Sequence, residues 1–335
     1  MVKGINNRYY IIYTMVKYLV GILCSSNIRL LRETLNSVIN QTNFDDYHIF
    51  IIVNTLDEVF YQDVIREFGH NKHEKLKKII RTESNGFAGK GHNSVLEVFY
   101  NNYQYDNLIK LDGDDFLFPC AIERINMVQT VEKSDVITLI GNCSITNTGV
   151  VYNKKRKLDT NTNTQILEYN INLGFEIQEA ANIGRFHEEL DTLNGTPLRL
   201  LCVNRKILVK YKKLYNEDMY KCVDIEYCVI FCKELHNPEY KITHLSDPYI
   251  YLYNGINEDS VSIKYNNNAF TYANDERVRD GLLAKYKLDE YKISIFKPVI
   301  YQQIIKDNVD METIHTFYDN TLFTLMRINN QYIRP

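Results

Sequence analysis

The sequence predicts an α/β fold, with helices on both faces of a mixed, mostly parallel central sheet. In the first half of the chain, short apolar runs typical of buried strands alternate with amphipathic stretches typical of helices. Polar clusters follow successive strand-like runs, at the strand ends where such sheets bind ligands. From residue 266 onward the pattern is helical and lacks clustered acids, which predicts a C-terminal helical extension over residues 266–335.

The predicted elements follow from apolar periodicity. Strand-like runs are short and rich in β-branched residues, and the helical stretches repeat apolar residues every three or four positions. In the first half the strands are Tyr18–Cys24, His48–Val53, Lys78–Thr82 and Leu108–Leu111, and the helices carry Leu30–Val38, Val59–Phe68 and Gly91–Asn101. In the second half we expect strands at Val136–Ser144 and Leu198–Val203, a helix from about Val223 to Leu235, and a strand pair near Ile242–Tyr253.

Composition excludes several classes of protein. Lys and Arg (39) nearly balance Asp and Glu (42), so the basic footprint of a nucleic-acid binder is absent. No apolar run approaches the ~20 residues of a transmembrane helix, and polar residues interrupt the N-terminal segment where a signal peptide would need an apolar stretch. Seven scattered cysteines without CxxC spacing form neither a disulfide framework nor a zinc site. Together these observations predict a cytoplasmic protein.

The chain divides into three predicted parts. Met15 opens a second plausible start, so we expect residues 1–16 to be a leader. Residues 17–265 then form the main domain, with a ligand-binding half at 17–150 and an acceptor half at 151–265. The helical extension follows at 266–335, and we expect it to pack on the domain or to mediate homo-oligomer formation.

Three carboxylates, Asp112, Asp114 and Asp115, follow the fourth predicted strand. Like charges at close range disfavour joint ionisation, and a divalent cation removes that penalty. Oxygen ligands of this kind suit Mn²⁺ or Mg²⁺, and we predict a metal held by Asp114 and Asp112. The alternative is a solvated turn in which Asp115 caps the next helix. An EF-hand is excluded because its further spaced acids and closing Glu are missing.

A glycine-rich segment, Asn85-Gly86-Phe87-Ala88-Gly89-Lys90-Gly91-His92-Asn93, precedes a predicted helix. Glycines permit close backbone approach, and a helix N-terminus favours anionic groups. Lys90 or His92 would contact an anionic group of a ligand bound there. A Walker A loop is excluded because Gly91 stands where Ser or Thr is required, and a purely structural turn remains the alternative.

An acid pair in the second half, Asp224 and Glu226, opens an apolar helix. A carboxylate at a helix start that faces the metal site would serve as general base, taking a proton from an acceptor hydroxyl. Acids favoured by the helix dipole are the structural alternative.

Five segments occur in the order and spacing of family 2 glycosyltransferases, and the chain resembles that family over residues 17–262. They are Tyr18–Cys24, Asn36-Ser37-Val38-Ile39-Asn40-Gln41-Thr42, Ile51-Ile52-Val53, Asn85–Asn93 and Leu111–Asp115. The resemblance implies a GT-A fold, the Rossmann-like fold of nucleotide-diphospho-sugar transferases, and an inverting, metal-dependent reaction. It also implies that Asp112 lies near the ribose and the metal, that Asp114 is the main metal ligand, and that Ser25 and Asn27 line the base pocket.

The chain departs from the family pattern at four places. Asn54-Thr55 replaces an acidic pair that reads the base, so Asn54 is the expected base contact. His92-Asn93 ends the glycine-rich segment where the family has Arg-Asn. Val223-Asp224 replaces Glu-Asp, which makes Asp224 the expected base and Glu226 the reserve. Asn254 or Asn257 stands where a His commonly assists the diphosphate site.

The expected function is transfer of a hexose from a nucleotide-diphosphate sugar, with UDP the first choice of nucleotide, to a hydroxyl of a glycan or related acceptor. Asn85, Lys90 and His92 would complete the donor site. Two alternatives stay open: a nucleotidyltransferase that makes a sugar nucleotide, and a catalytically inactive binding module that keeps the fold.

Overall fold

The computed structural model describes residues 18–70, 73–139, 142–146, 149–153, 199–217, 238–245 and 250–254, together with positions 223, 226–227, 230 and 257. The expected leader, residue 224 and the expected C-terminal extension lie outside these ranges.

The strands are β1 Tyr18–Cys24, β2 Tyr47–Asn54, β3 Leu76–Thr82, β4 Asn107–Asp112, β5 Phe116–Leu117, β6 Val136–Leu139, β7 Asn142–Thr146, β8 Gly149–Asn153, β9 Arg199–Asn204, β10 Ile242–Leu245 and β11 Tyr251–Asn254. The helices are α1 Ile28–Ile39, α2 Glu58–Phe68, α3 Ala88–Tyr100, α4 Ala121–Glu132 and α5 Arg205–Lys210.

The described strands form two sheets. The larger has seven strands in the order β10-β6-β9-β4-β1-β2-β3, and the smaller has four in the order β5-β11-β7-β8. In the larger sheet β9 runs antiparallel to β4 and β6, and the other neighbours are parallel. This confirms the expected α/β fold with a mixed, mostly parallel central sheet.

Helices cover both faces of the larger sheet, as the sequence predicted. Alternate residues along a strand point to opposite faces. Tyr18, Val20 and Ile22 of β1 therefore pack with α1, α2 and α4, whereas Leu19 packs with α3 and α5. Two buried apolar clusters result, one on each face, and burial on both faces explains why the strands read as continuous apolar runs.

Three of the described helices begin at side-chain caps, and Asn204, which accepts the Lys206 N–H, supplies the cap of α5. Asn27 adopts a left-handed conformation, φ 59°, and its Oδ1 accepts the Leu30 N–H to start α1. Asp57 accepts the N–H groups of Val59 and Phe60 to start α2. Each cap satisfies backbone donors that have no partner inside the helix.

Two of the strand predictions were wrong. The single strand expected at Val136–Ser144 is two strands, β6 and β7, and they belong to different sheets. The strand pair expected near Ile242–Tyr253 consists of β10 and β11, which do not pair with each other but join different sheets. Apolar periodicity identifies strands, but it carries no information about which sheet a strand joins.

Two helix expectations also changed. The helix expected at Gly91–Asn101 begins earlier, at Ala88, so the glycine-rich segment supplies its first turns. Of the helix expected from Val223 to Leu235, the described positions Glu226, Tyr227 and Ile230 are helical. Within the described ranges, no helix has the length and apolar character needed to cross a membrane.

Candidate functional site

The polar clusters meet at the C-terminal ends of β1 and β4, where the strand order reverses. The chain adds β2 and β3 on one side of β1 and β4 on the other, and open α/β sheets bind ligands at such a point. Ser25 and Asn27 follow β1, whereas Asp112 is the last residue of β4 and Asp114 and Asp115 follow it. Gly113 donates its N–H to the Leu23 carbonyl at 2.7 Å, which joins the two strand ends.

Gly113 is required for this close approach. A Cβ at position 113 would lie 2.8 Å from the Leu23 carbonyl oxygen and 2.9 Å from Cys24 Cβ, both too short. Any larger residue would push the loop away from β1. Glycine between the first two acids therefore sets where Asp112 and Asp114 lie relative to the end of β1.

Asp112 is held by two cations. Lys110 Nζ lies 2.8 Å from Oδ1, and Arg199 Nη1 lies 3.3 Å from Oδ2. Burial opposes ionisation of this carboxyl, but Lys110 and its other neighbours hold the pKa of Asp112 well below its usual range. Asp112 is therefore ionised at neutral pH, and both of its oxygens already accept a charged hydrogen bond.

Asp115 is buried and joins the two sheets. It accepts hydrogen bonds from Tyr251 Oη at 2.5 Å, the Asn254 N–H at 2.8 Å and Arg199 Nη1 at 3.2 Å. Burial and the neighbouring Asp114 raise the pKa of Asp115 to about 7, and Arg199 opposes that rise. The alternative in which Asp115 caps the next helix is wrong, because β5 follows it and α4 starts only at Ala121.

Asp114 has a different environment from Asp112. Its Oδ2 accepts a hydrogen bond from Asn257 Nδ2 at 2.6 Å. Burial, and then the charge of Asp112, raise the pKa of Asp114, so this carboxylate lacks the compensation that Asp112 receives. A divalent cation would supply that compensation.

No three His, Cys, Asp or Glu side chains within the described ranges converge well enough to hold a metal ion by themselves. One or two carboxylates, however, match the way in which proteins bind Mg²⁺ together with substrate phosphates. The residues thus fit a cation that is completed by a phosphorylated ligand.

The glycine-rich segment brings the N-terminus of α3 against a neighbouring loop. Asn85 Oδ1 accepts the Phe87 N–H at 3.0 Å, and Gly86 has φ 83°, a conformation that favours glycine. At Gly89 the approach is closest, since an added Cβ would lie 1.6 Å from the Asn216 carbonyl oxygen. The glycines therefore serve contact within the protein, in addition to any contact with a ligand.

Asn93 fixes the loop Leu214–Glu217 to α3. Its Nδ2 donates to the Tyr215 carbonyl at 2.9 Å and to Glu217 Oε1 at 3.0 Å. Its Oδ1 accepts the N–H groups of Leu214 and Tyr215, both at 3.1 Å. The exposed Asn85 adds a bond from Nδ2 to the Glu217 carbonyl at 3.2 Å. These bonds hold Tyr215 beside the site.

His92 lies between Tyr215 and Asp112. Its ring centroid is 4.6 Å from that of Tyr215, and Nδ1 is 3.7 Å from Asp112 Oδ1. Burial, and then the charge of Lys110, lower the pKa of His92 to about 3, so the ring is neutral at physiological pH. Lys90, two residues earlier in the same helix, is half-buried.

Asn54 lies at the end of β2 and is buried. Its Nδ2 donates to Thr82 Oγ1 at 3.0 Å and to the Glu83 carbonyl at 2.8 Å. An added Cβ on Gly91 would lie 3.3 Å from Asn54 Oδ1, so this oxygen faces the first turns of α3.

The structure brings together several of the expected site residues. Asn54, His92, Asp112 and Asp114 lie around the ends of β1, β2 and β4 and the start of α3. Ser25 is exposed just after β1, and the side-chain oxygen of Asn27 is already used as the cap of α1. Glu226 is buried, and Asp224 lies outside the described residues.

Three residues of the site were not predicted from the sequence: Lys110, Arg199 and Tyr251. Lys110 carried a signal, because it is a single charge inside the apolar run Leu108–Leu111. Arg199 and Tyr251 carried none, because each reaches the acidic loop from a strand that is distant in the chain.

Neither a protein-family model nor a curated protein sequence matches this chain. Solved structures are similar to it. The structure of S. aureus TarS 1–349 in complex with UDP-GlcNAc has 15% sequence identity and a TM-score of 0.54, with 82% of this chain and 69% of that chain covered. The structure of TarS 1–349 without a named ligand has 15% identity and a TM-score of 0.49, with 82% and 68% covered. With the sheet described above, the first similarity shows an α/β, GT-A-like fold.

Proposed function

We propose that this chain is a metal-dependent, inverting glycosyltransferase that moves a hexose from a UDP-sugar to a hydroxyl of a glycan or related acceptor. The observation that carries the proposal is the pair Asp112 and Asp114, two residues apart at the switch point of the sheet but in different charge environments. The similar fold of TarS, solved with UDP-GlcNAc, supports a UDP-sugar as donor.

The donor binds along the ends of β1, β2 and β4. Ser25, Asn27 and Asn54 take the base, with Asn54 offering Oδ1 as a hydrogen-bond acceptor because its Nδ2 is already engaged. Asp112 takes the ribose hydroxyl groups. Asn85, Lys90 and His92 approach the diphosphate and the sugar from the N-terminal end of α3, where backbone N–H groups favour anions.

Asp114 would hold Mn²⁺ or Mg²⁺ together with the donor phosphates, and Asp112 would lie beside that cation. When bound, the cation neutralises the charge that develops on the diphosphate leaving group. One or two protein carboxylates commonly share Mg²⁺ with substrate phosphates in this way. Asn257 keeps Asp114 in place through its hydrogen bond at 2.6 Å.

The acceptor is activated from the second half of the chain. Asp224 takes the proton of the acceptor hydroxyl as the sugar carbon is attacked, and Glu226 is the reserve for this role. We also propose that residues 266–335 mediate self-association of the chain.

Loss of the metal ligand tests the proposal. We expect Asp114→Ala to abolish Mn²⁺-dependent binding of UDP, measured by titration calorimetry, and to abolish sugar transfer. The matched control is Asp63→Ala, which removes an acid of α2 that pairs with Arg66, and we expect it to leave both activities unchanged. Normal binding and turnover by Asp114→Ala in excess chelator would show that the metal assignment is wrong.

The products of the wild-type reaction separate the alternatives. A transferase releases UDP only when an acceptor hydroxyl, or water, takes the sugar. A nucleotidyltransferase releases pyrophosphate from a nucleoside triphosphate instead. A binding module is stabilised against thermal unfolding by UDP and Mn²⁺, but it turns over neither substrate.

A further inference from the structure

Lys110 is a charged side chain buried within the larger sheet. The residue is 6% exposed and lies in β4, opposite Gly21 of β1. An ammonium group is strongly disfavoured in such surroundings unless a partner of opposite charge compensates it. The contacts of Lys110 therefore indicate why a lysine occupies a strand position that is otherwise apolar.

Its charged partner is Asp112. Residues two apart in a strand point to the same face, so Lys110 lies directly behind Asp112, with Nζ 2.8 Å from Oδ1. The ammonium group also lies 5.6 Å from the centre of the Tyr215 ring. Arg199, from the neighbouring β9, contacts the other carboxylate oxygen at 3.3 Å.

Lys110 and Arg199 thus hold the Asp112 carboxylate in one orientation and compensate its negative charge. Each carboxylate oxygen has two acceptor positions, and Lys110 and Arg199 occupy one on each. The Asp112 side chain keeps 26% of its surface exposed, so the remaining acceptor positions stay accessible to a ligand. Charge-assisted hydrogen bonds are the strong ones, and they restrict the carboxylate to one orientation.

We propose that Lys110 is a positioning residue for donor binding, which acts by holding Asp112 in the orientation that accepts hydrogen bonds from the ribose hydroxyl groups of the nucleotide. This role rests on the proposed function. Lys110 itself does not touch the donor, so its whole effect on nucleotide affinity passes through Asp112.

A double-mutant cycle tests this dependence. The four proteins are the wild type, Lys110→Met, Asp112→Asn and the double variant, and the probe is UDP with MnCl₂ in titration calorimetry. Methionine keeps the unbranched shape and suits a buried position, whereas asparagine keeps the size of aspartate. We expect Lys110→Met to weaken UDP binding about tenfold in the Asp112 background, and less than about twofold in the Asp112→Asn background.

A structural role for Lys110 would give a different result. It would lower the Tm of Lys110→Met without changing the Kd of the folded protein, or it would weaken UDP binding by the same factor in both backgrounds. Either outcome overturns the proposal. Should Lys110→Met fail to fold, Lys110→Gln and Lys110→Gln/Asp112→Asn form the same cycle with the same expected factors, because glutamine is also unbranched and uncharged. A loss that is equal in both backgrounds overturns the proposal.

The control removes a lysine that is not near Asp112. Lys77→Met takes an exposed cation from β3 of the same sheet, and we expect its UDP affinity to equal that of the wild type. If the wild type itself binds no UDP, the proposed function fails and this role fails with it. If the wild type binds normally and the cycle is additive, only the role of Lys110 fails.

Discussion

Asn54 illustrates how a neutral side chain is given a single orientation. Its amide donates to the Glu83 carbonyl, which accepts hydrogen bonds and cannot donate, so Nδ2 and Oδ1 cannot exchange places. Thr82 Oγ1 accepts from the same amide and donates to Ser94 Oγ, which in turn donates to the Gly91 carbonyl. Oδ1 is thereby held toward the first turns of α3.

This orientation predicts the effect of placing an acid at position 54. In Asn54→Asp, a carboxylate oxygen would face the Glu83 carbonyl, and both donated hydrogen bonds would be lost at a buried site. We expect the free energy of unfolding to fall by about 1–3 kcal/mol, measured by urea denaturation, and UDP affinity to fall with it.

The control for this substitution is Asn36→Asp. It makes the same chemical change on the exposed face of α1, where we expect a shift within about 0.5 kcal/mol. An Asn54→Asp protein that is as stable as the wild type and binds UDP more tightly would contradict this account of the amide.

The start of α3 and the loop Leu214–Glu217 behave as one unit. Gly89 allows the Asn216 carbonyl to reach the helix, and Asn93 then bonds the loop through both ends of its amide. The loop carries Tyr215, which contacts His92 beside Asp112. The geometry of the candidate site therefore depends on how closely this loop approaches the helix.

Gly89→Ala tests that dependence. Alanine normally stabilises a helix relative to glycine by about 1 kcal/mol, but here its Cβ would overlap a backbone carbonyl that cannot move without displacing the loop. We expect a net loss of about 1–3 kcal/mol in the free energy of unfolding, together with weaker binding of UDP.

The same substitution at Gly91 is the matched control, because it lies in the same helix and its nearest neighbours are side-chain atoms at 3.3 Å. Side chains can shift by the few tenths of an ångström that are needed, so we expect a much smaller loss for Gly91→Ala. Equal effects at the two glycines would contradict the proposed contact between helix and loop.

Elements were predictable where local pattern decides them. The apolar periodicity of the first half depends on neighbours close in sequence, and β1 to β4 and α1 to α3 lie along the runs that it predicts. The division of Val136–Ser144 between two sheets was not predictable. That division depends on which strands are available for pairing, and β9, which pairs with β6, comes from more than 50 residues later in the chain.

For the molecule as a whole, the acidic site could be predicted only in part. Asp112, Asp114 and the glycine between them form a local motif, so their placement after a buried strand was visible in the sequence. Their charge environment was not visible, because it arises from chain crossovers. The antiparallel β9 brings Arg199 beside Asp112, and β11 brings Tyr251 to Asp115. The domain boundaries and the role of residues 266–335 stay predictions.

Arg199, Tyr251 and Asn257 bring the second half of the chain to the acidic site, and an aromatic contact brings the residues around Glu226 near it as well. Tyr227 packs edge-on against Tyr215, with ring centroids 5.2 Å apart, and Tyr215 in turn contacts His92. Tyr227, and Glu226 beside it in the chain, therefore lie close to the candidate site. This proximity supports the search for the general base within the acid pair Asp224 and Glu226.

We expect Asp224→Asn to bind UDP nearly as tightly as the wild type but to transfer sugar about 10²–10⁴-fold more slowly, because a general base contacts the acceptor and not the donor. Calorimetry with UDP and Mn²⁺ and an assay of sugar transfer measure the two effects separately. Glu226→Gln is the comparison, since Glu226 is buried two residues away. If Glu226→Gln is inactive and Asp224→Asn is active, Glu226 is the general base and Asp224 is not. Full activity in both variants would place the base elsewhere, and the resemblance to family 2 glycosyltransferases would then fail in the second half of the chain.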